Sequence, residues 1–116
     1  MDNLDAVDTQ TFQSLMREVG RDYMPEILEV YCTDVKEQLQ FAQKALLDGD
    51  SVEFTRRVHT IKSTSLSFGA LAYGALAREL EGLGREGKLD QARLKFPPLL
   101  QACDSLRGRL KELCNA

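Results

Sequence analysis

The sequence predicts an all-α fold: an antiparallel up-down four-helix bundle with an additional short N-terminal helix as a lid. Three observations lead there. Apolar residues recur at spacings of three and four through nearly the whole chain, the period of one helix face. No run of alternating β-branched residues argues for a strand. The three prolines and eight glycines sit mostly between the periodic segments, where they act as punctuation. At 116 residues the chain is the size of one domain with one core, so residues 1–116 are expected to form a single unit.

The N-terminal helix is expected at about residues 8–19, where Phe12, Leu15 and Val19 recur and Gly20 ends the pattern. The first bundle helix, about 22–48, begins at Asp22, a good N-cap. Pro25 falls in the tolerated first turn. Its stripe is Met24, Ile27, Leu28, Tyr31, Val35, Leu39, Ala42 and Leu46, and Gly49 supplies a left-handed stop. The second, about 51–68, opens with Asp50 as cap and Glu53 reaching back, as in a capping box. Gly69-Ala70 then makes the turn. The third, about 71–86, is rich in the small residues Ala72, Gly74, Ala75 and Ala77, which permit close helix contact, and ends at Gly84 or Gly87. The fourth, about 90–114, starts with a short piece capped by Asp90 and running to Lys95. Pro97-Pro98 interrupts or kinks it, and Leu99, Cys103, Leu106, Leu110 and Leu113 carry it on. Four amphipathic helices with short connections specify antiparallel neighbours.

Composition removes several classes of function. With 15 basic and 18 acidic residues the formal charge is -3, and no basic stripe interleaved with aromatics suggests nucleic acid or an anionic membrane surface. Charges interrupt every apolar stretch, so no segment suits a bilayer. The acidic start Met1-Asp2-Asn3-Leu4-Asp5 lacks the basic and apolar regions of a secretory signal. The cysteines, Cys32, Cys103 and Cys114, are odd in number and read as small hydrophobes in a reducing compartment, so a cytoplasmic location is expected. A single histidine with no CxxC or HExxH leaves zinc without ligands, and no GxxxxGK[ST] or GxGxxG motif is present for ATP or a dinucleotide. No metal or cofactor is therefore expected on this chain. Nothing in the surface pattern calls for an oligomer, so a monomer is expected.

Function must come from a site rather than from a bundle, and the one candidate is His59. A lone histidine is more often structural or incidental than functional. On a wheel of about 100° per residue, however, Phe54, Val58, Ile61, Ser65 and Phe68 cluster opposite His59 as the buried face. Thr55, Arg56, Lys62, Ser63 and Leu66 fall within about 60° of it. His59 therefore points outward, between the cations Arg56 and Lys62 and beside the small residues Thr55 and Ser63. Imidazole titrates near neutrality, so a ring nitrogen lone pair is available to attack phosphorus and form a phosphoramidate. Phosphoryl transfer depends on positioning and charge neutralisation, which an ammonium one turn away supplies.

The run His59-Thr60-Ile61-Lys62-Ser63-Thr64-Ser65-Leu66-Ser67-Phe68-Gly69-Ala70 resembles the signature of the histidine-phosphotransfer (HPt) family, His-x-x-Lys-Gly-Ser/Ala-Ser/Ala followed by Leu-Gly-Ala. Tyr73, Ala77 and Leu80-Glu81 are similar to the family's downstream Leu, Cys and Leu-Glu positions, and Leu46-Leu47-Asp48-Gly49-Asp50 to its approach to the histidine helix. The resemblance extends from about Tyr23 to Leu113. It implies a phospho-acceptor at His59, acting through the outer ring nitrogen, a basic helper at Lys62, a turn glycine at Gly69 and an apolar docking residue at Leu66. It implies no ATP site and no turnover without a partner, so not an enzyme but a phosphocarrier. The receiver domain of a response regulator supplies the aspartate and the Mg2+, and a hybrid sensor histidine kinase stands upstream. Ser63 departs from the family glycine, which puts docking depth and rate in doubt, and its hydroxyl is expected to reach a phosphoryl oxygen. The alternative is an adaptor that binds response regulators or kinases without being phosphorylated. The start methionine and the lack of an appended receiver or kinase segment suit a stand-alone carrier, and an excised piece of a hybrid kinase suits them equally.

Overall fold

The computed structural model describes residues 3–115; Met1, Asp2 and Ala116, included in the expectations above, lie outside the described residues. Seven helical segments follow one another: α1 (Thr9–Val19), α2 (Met24–Asp48), α3 (Ser51–Ser67), α4 (Leu71–Arg85), α5 (Leu89–Lys95), α6 (Pro97–Gln101) and α7 (Cys103–Cys114). No strand occurs among the described residues. The α2, α3 and α4 helices form three sides of a bundle. The broken rod α5–α6–α7 forms the fourth, with α5 against α4 and α7 against α2. The core is the set of periodic apolar positions: Leu28, Val35 and Leu39 of α2, Phe54, Val58 and Ile61 of α3, Tyr73, Ala77 and Leu80 of α4, and Leu99, Leu106 and Leu110 of the fourth side are all buried. Each large side chain among them contributes roughly 1.5–3 kcal/mol through loss of water contact.

The helix ends explain the remaining geometry. Asp8 accepts from the Thr11 amide at 3.3 Å and caps α1. Phe12 and Met16 turn inward, and the Asp8 amide donates to the Gly69 carbonyl at 2.8 Å. The lid is thus tied to the α3–α4 turn. At the far end of α2, Gly49 is left-handed (φ 71°), and the Asp50 amide donates to Ala45 O at 2.9 Å, closing the helix in the manner of a Schellman turn. Arg93 of α5 donates to Leu46 O through Nη2 at 2.6 Å, occupying another of the terminal carbonyls.

Three expectations need correction. Asp22 does not cap α2; the helix starts at Met24 with Tyr23 at the N-cap and no side-chain cap. The amides of Tyr23 and Met24 instead donate to Gly20 O, each at 3.1 Å, so that turn needs no side-chain oxygen. The capping box at α3 is only half formed. Asp50 accepts from the Glu53 amide at 3.1 Å, but Glu53 turns away to pair with Arg56 and Arg57. The fourth helix, about 90–114, expected to be interrupted or kinked once at Pro97-Pro98, is three segments, with a second break after Gln101. Lys88 rather than Asp90 is the N-cap of α5, and Pro97 and Pro98 fill the first positions of α6, where a missing amide costs nothing. The buried Tyr73 hydroxyl donates to Leu99 O at 2.7 Å, which satisfies a carbonyl at the second break.

Gly69 carries the tightest turn. Its φ is 83°, and a Cβ there would lie 2.6 Å from Asp8 O. Gly49 is also left-handed, but a Cβ there meets nothing within 4 Å. Gly49→Ala should therefore cost about 1–2 kcal/mol, the price of left-handed backbone alone. Gly69→Ala should cost clearly more, read as a lower urea midpoint. Equal losses would show that the lid contact carries no weight.

Candidate functional site

Two glycines set the distance between α3 and α4. A Cβ on Gly74 would meet Leu66 Cδ2 at 2.5 Å, and one on Gly84 would collide with Thr55 Oγ1 and press on Phe54. Without those Cβ atoms the two helices approach closely along a seam containing Thr55, Lys62 and Leu66. Glu81 lies on the same stripe of α4, seven residues after Gly74 and three before Gly84, so it points into the seam. Its side chain is 3% exposed.

A buried carboxylate needs partners, and this one has three. His59 Nδ1 lies 2.5 Å from Glu81 Oε2, Lys62 Nζ donates to Oε1 at 2.7 Å, and Arg85 Nη2 donates to Oε2 at 3.0 Å. Burial alone would raise the Glu81 carboxyl, but the hydrogen bonds from Lys62 and His59 outweigh it and hold the group below its ordinary range. An ionised carboxylate only accepts, so His59 Nδ1 must carry the proton in this contact. The neutral ring then has its lone pair on Nε2. The His59 side chain is 52% exposed while Lys62 is 20% exposed. The imidazole is anchored on its inner nitrogen and open to water on the other side.

The other expected site residues divide. Thr55 donates its hydroxyl to Ser51 O at 2.6 Å and packs on Gly84, so it is a seam residue with little reach toward solvent. Arg56 lies on the outer surface but its Nη2 donates to Glu53 at 2.8 Å, away from the ring. Ser63 is exposed, and its carbonyl accepts from Ser67 Oγ at 3.1 Å. Leu66 is 38% exposed and shares its side chain between water and Gly74. Gly69 is the turn described above, away from the ring on the lid side. The expected pair of cations flanking His59 is thus replaced by Lys62 and Arg85, both held by Glu81.

The sequence places Glu81 only in the Leu-Glu pair of the family resemblance, with no role, and gives Arg85 none. A second signal for Glu81 is its setting: it is a charge among Tyr73, Ala77, Leu80 and Gly84, the buried face of α4. Arg85 offered none, since an exposed arginine four residues after a glutamate is ordinary on a helix. Among the described residues no group of three or more His, Cys, Asp or Glu is arranged to hold a metal ion, and no helix is long and apolar enough to cross a membrane. A groove of about 560 Å³ lined by Phe12, Gln13, Met16, Arg17, Arg21 and Leu113 takes no residue from α3 or α4.

Comparison with known proteins agrees with this geometry. The Hpt domain family model matches residues 26–116. The phosphorelay protein LuxU of Vibrio vulnificus, in strains YJ016 and CMCP6, is 27% identical over 84 residues, 72% of this chain and 73% of LuxU. The crystal structure of histidine-containing phosphotransfer protein B (HptB) from Pseudomonas aeruginosa PAO1 superposes with a TM-score of 0.86 at 27% identity, covering 94% of each chain.

Removing the carboxylate should strand the Lys62 ammonium. Glu81→Leu should cost about 2–3 kcal/mol, below the roughly 3–5 of a fully enclosed pair because Lys62 keeps some water contact. The double variant Lys62→Met/Glu81→Leu should recover most of that loss in urea unfolding. A double variant as unstable as the single one would mean that the pair is not coupled. The acid limb gives a second check. A lowered folded-state carboxyl contributes stability that is complete above the unfolded value of about 4.3 and is lost as pH falls through the folded one. Wild type should therefore lose stability more steeply below about pH 4.3 than Glu81→Gln, and parallel curves would remove Glu81 from the acid limb.

Proposed function

This chain belongs to the Hpt domain family, and from that membership we propose that it carries a phosphoryl group on His59 Nε2 between receiver aspartates of a two-component phosphorelay. The observation that supports the reading is the Glu81 contact on Nδ1, which leaves the solvent-side nitrogen as nucleophile.

In the transfer the Nε2 lone pair attacks phosphorus in line, the N–P bond forms, and the P–O bond to the receiver aspartate breaks with the aspartate as leaving group. The ring becomes cationic as it gives up its lone pair, and the carboxylate against Nδ1–H offsets that charge where it develops. Lys62 and Arg85 together offset the approaching phosphoryl oxygens. The return step to a second receiver reverses these bonds. The receiver holds the Mg2+; this chain needs no cofactor and no ATP, and acts as a phosphocarrier rather than an enzyme. A half-exposed nucleophile on an open helix face suits a protein partner, not an enclosed small substrate. The same reading takes receivers of response regulators and a hybrid sensor histidine kinase as partners, excludes nucleic acid and membrane, and describes a cytoplasmic monomer. Ser63, exposed one turn beyond His59, remains the residue whose hydroxyl would meet a phosphoryl oxygen, and Leu66 the apolar docking contact.

Incubation with a panel of phosphorylated receivers should transfer label to wild type, stable in base and lost in acid, with none on a His59→Gln chain that still unfolds cooperatively. A wild-type chain that binds receivers but never takes label is the non-phosphorylated adaptor, and overturns the reading.

A further inference from the structure

The chain has 15 Lys and Arg residues, and they are almost all engaged. Arg56 and Arg57 pair with Glu53, Lys62 and Arg85 with Glu81, Lys95 with Glu79, and Lys88 with Glu86. Arg93, Arg107, Arg109, Lys111, Lys36 and Lys44 also have carboxylate partners; Arg17 donates to Ser14, and Arg21 is engaged as well. Among the described Lys and Arg residues, Arg78 alone has a side chain with no hydrogen bond, ion pair or ring contact. It is exposed.

Its position is specific. On α4 it lies about 40° from Gly74 and 60° from Glu81, at 100° per residue. Those two residues touch Leu66 and His59 on α3, so Arg78 stands on the rim of the same seam, on the solvent side. Along the axis it is roughly 4.5 Å from Glu81 and 6 Å from Gly74, which sets it beside the stretch of α3 between Lys62 and Leu66. The acids next to it in sequence and one turn beyond, Glu79 and Glu81, are already paired, with Lys95 and with Lys62 and Arg85. The guanidinium therefore meets no anion of its own chain.

We propose that Arg78 is a partner-selecting residue: it pairs with a carboxylate on the rim of the receiver's docking face. The proposal rests on the phosphotransfer reading and names a contact that the reading does not contain. The chemistry of the partner supports it. A phosphorylated receiver gathers a phosphoryl group and the carboxylates that hold Mg2+; one divalent ion does not balance them all, so its docking face is net acidic. An unengaged cation at the edge of the His59 seam is complementary to that face, whereas Lys62 and Arg85 are held by Glu81 beside the ring. Rim charges act chiefly on the association rate and its salt dependence. Arg78 should therefore discriminate among receivers by whether a carboxylate stands opposite it, and should leave the chemical step alone.

The test uses the full chain and a receiver domain that labels wild-type His59. Association rates and the KM and kcat of transfer are measured at low and high salt for wild type, Arg78→Glu, Arg78→Lys and Lys44→Glu. Lys44→Glu makes the same charge change on α2, at an exposed ion pair with Asp48. Arg78→Glu should slow association about tenfold at low salt, raise KM correspondingly, leave kcat unchanged and flatten the salt dependence. Arg78→Lys should retain most of the rate, and Lys44→Glu should stay within about twofold of wild type. Arg78→Glu indistinguishable from Lys44→Glu, with wild type labelled normally, overturns this proposal and leaves the phosphotransfer reading standing. A fall in kcat at unchanged KM also overturns it, because the residue then acts on chemistry. A wild-type chain labelled by no receiver overturns both.

Discussion

The buried Glu81 carboxylate is the constraint on which the site depends. A carboxylate with almost no water contact is tolerated only when charged donors surround it, and here the donors are the side chains that the proposed transfer uses. His59 brings Nδ1–H, Lys62 brings an ammonium and Arg85 a guanidinium. The same contacts that satisfy the burial fix the tautomer of the imidazole and the height of the ammonium beside it. Positioning and stability therefore share one group, and a change that loosens one loosens the other.

That arrangement requires α4 to approach α3 closely, and the approach is written in side chains that are missing. Gly74 leaves room for Leu66, and Gly84 leaves room for Thr55 and Phe54. Together they let Glu81 reach across to Oε–N distances of 2.5 to 3.0 Å. The α3 helix is held in rotation by its own buried face, Phe54, Val58, Ile61 and Ser65. The Ser65 hydroxyl is satisfied by Tyr31 at 2.8 Å, so even the polar member of that face has a partner. With the rotation fixed from behind, His59 has one direction left, outward along the seam.

The helices were legible because periodic burial and glycine stops are local signals: Met24 through Leu46 and Phe54 through Ser65 fall on the faces that the spacing predicts. The outward direction of His59 was legible for the same reason. Helix ends were less so, because Asp22 and Asp90 were available as caps while backbone carbonyls and turn geometry did that work instead. The partners of the cations were not legible at all. Arg56 sits on the right face of α3 yet Glu53, three residues away, claims it, and Lys62 is claimed by a residue 19 positions on. A wheel gives direction but not which long side chain wins a carboxylate. The anomaly that did point to the answer was Glu81, a charge in the middle of an apolar stripe; its meaning depended on a tertiary contact.

Direct observation of the His59 ring nitrogens tests the central claim. In a ¹⁵N-labelled chain at a pH where the imidazole is neutral, long-range ¹H–¹⁵N correlation distinguishes the protonated nitrogen from the bare one. The account predicts a proton on Nδ1 and a lone pair on Nε2. A ring protonated on Nε2, or an equal mixture of the two tautomers, would contradict it.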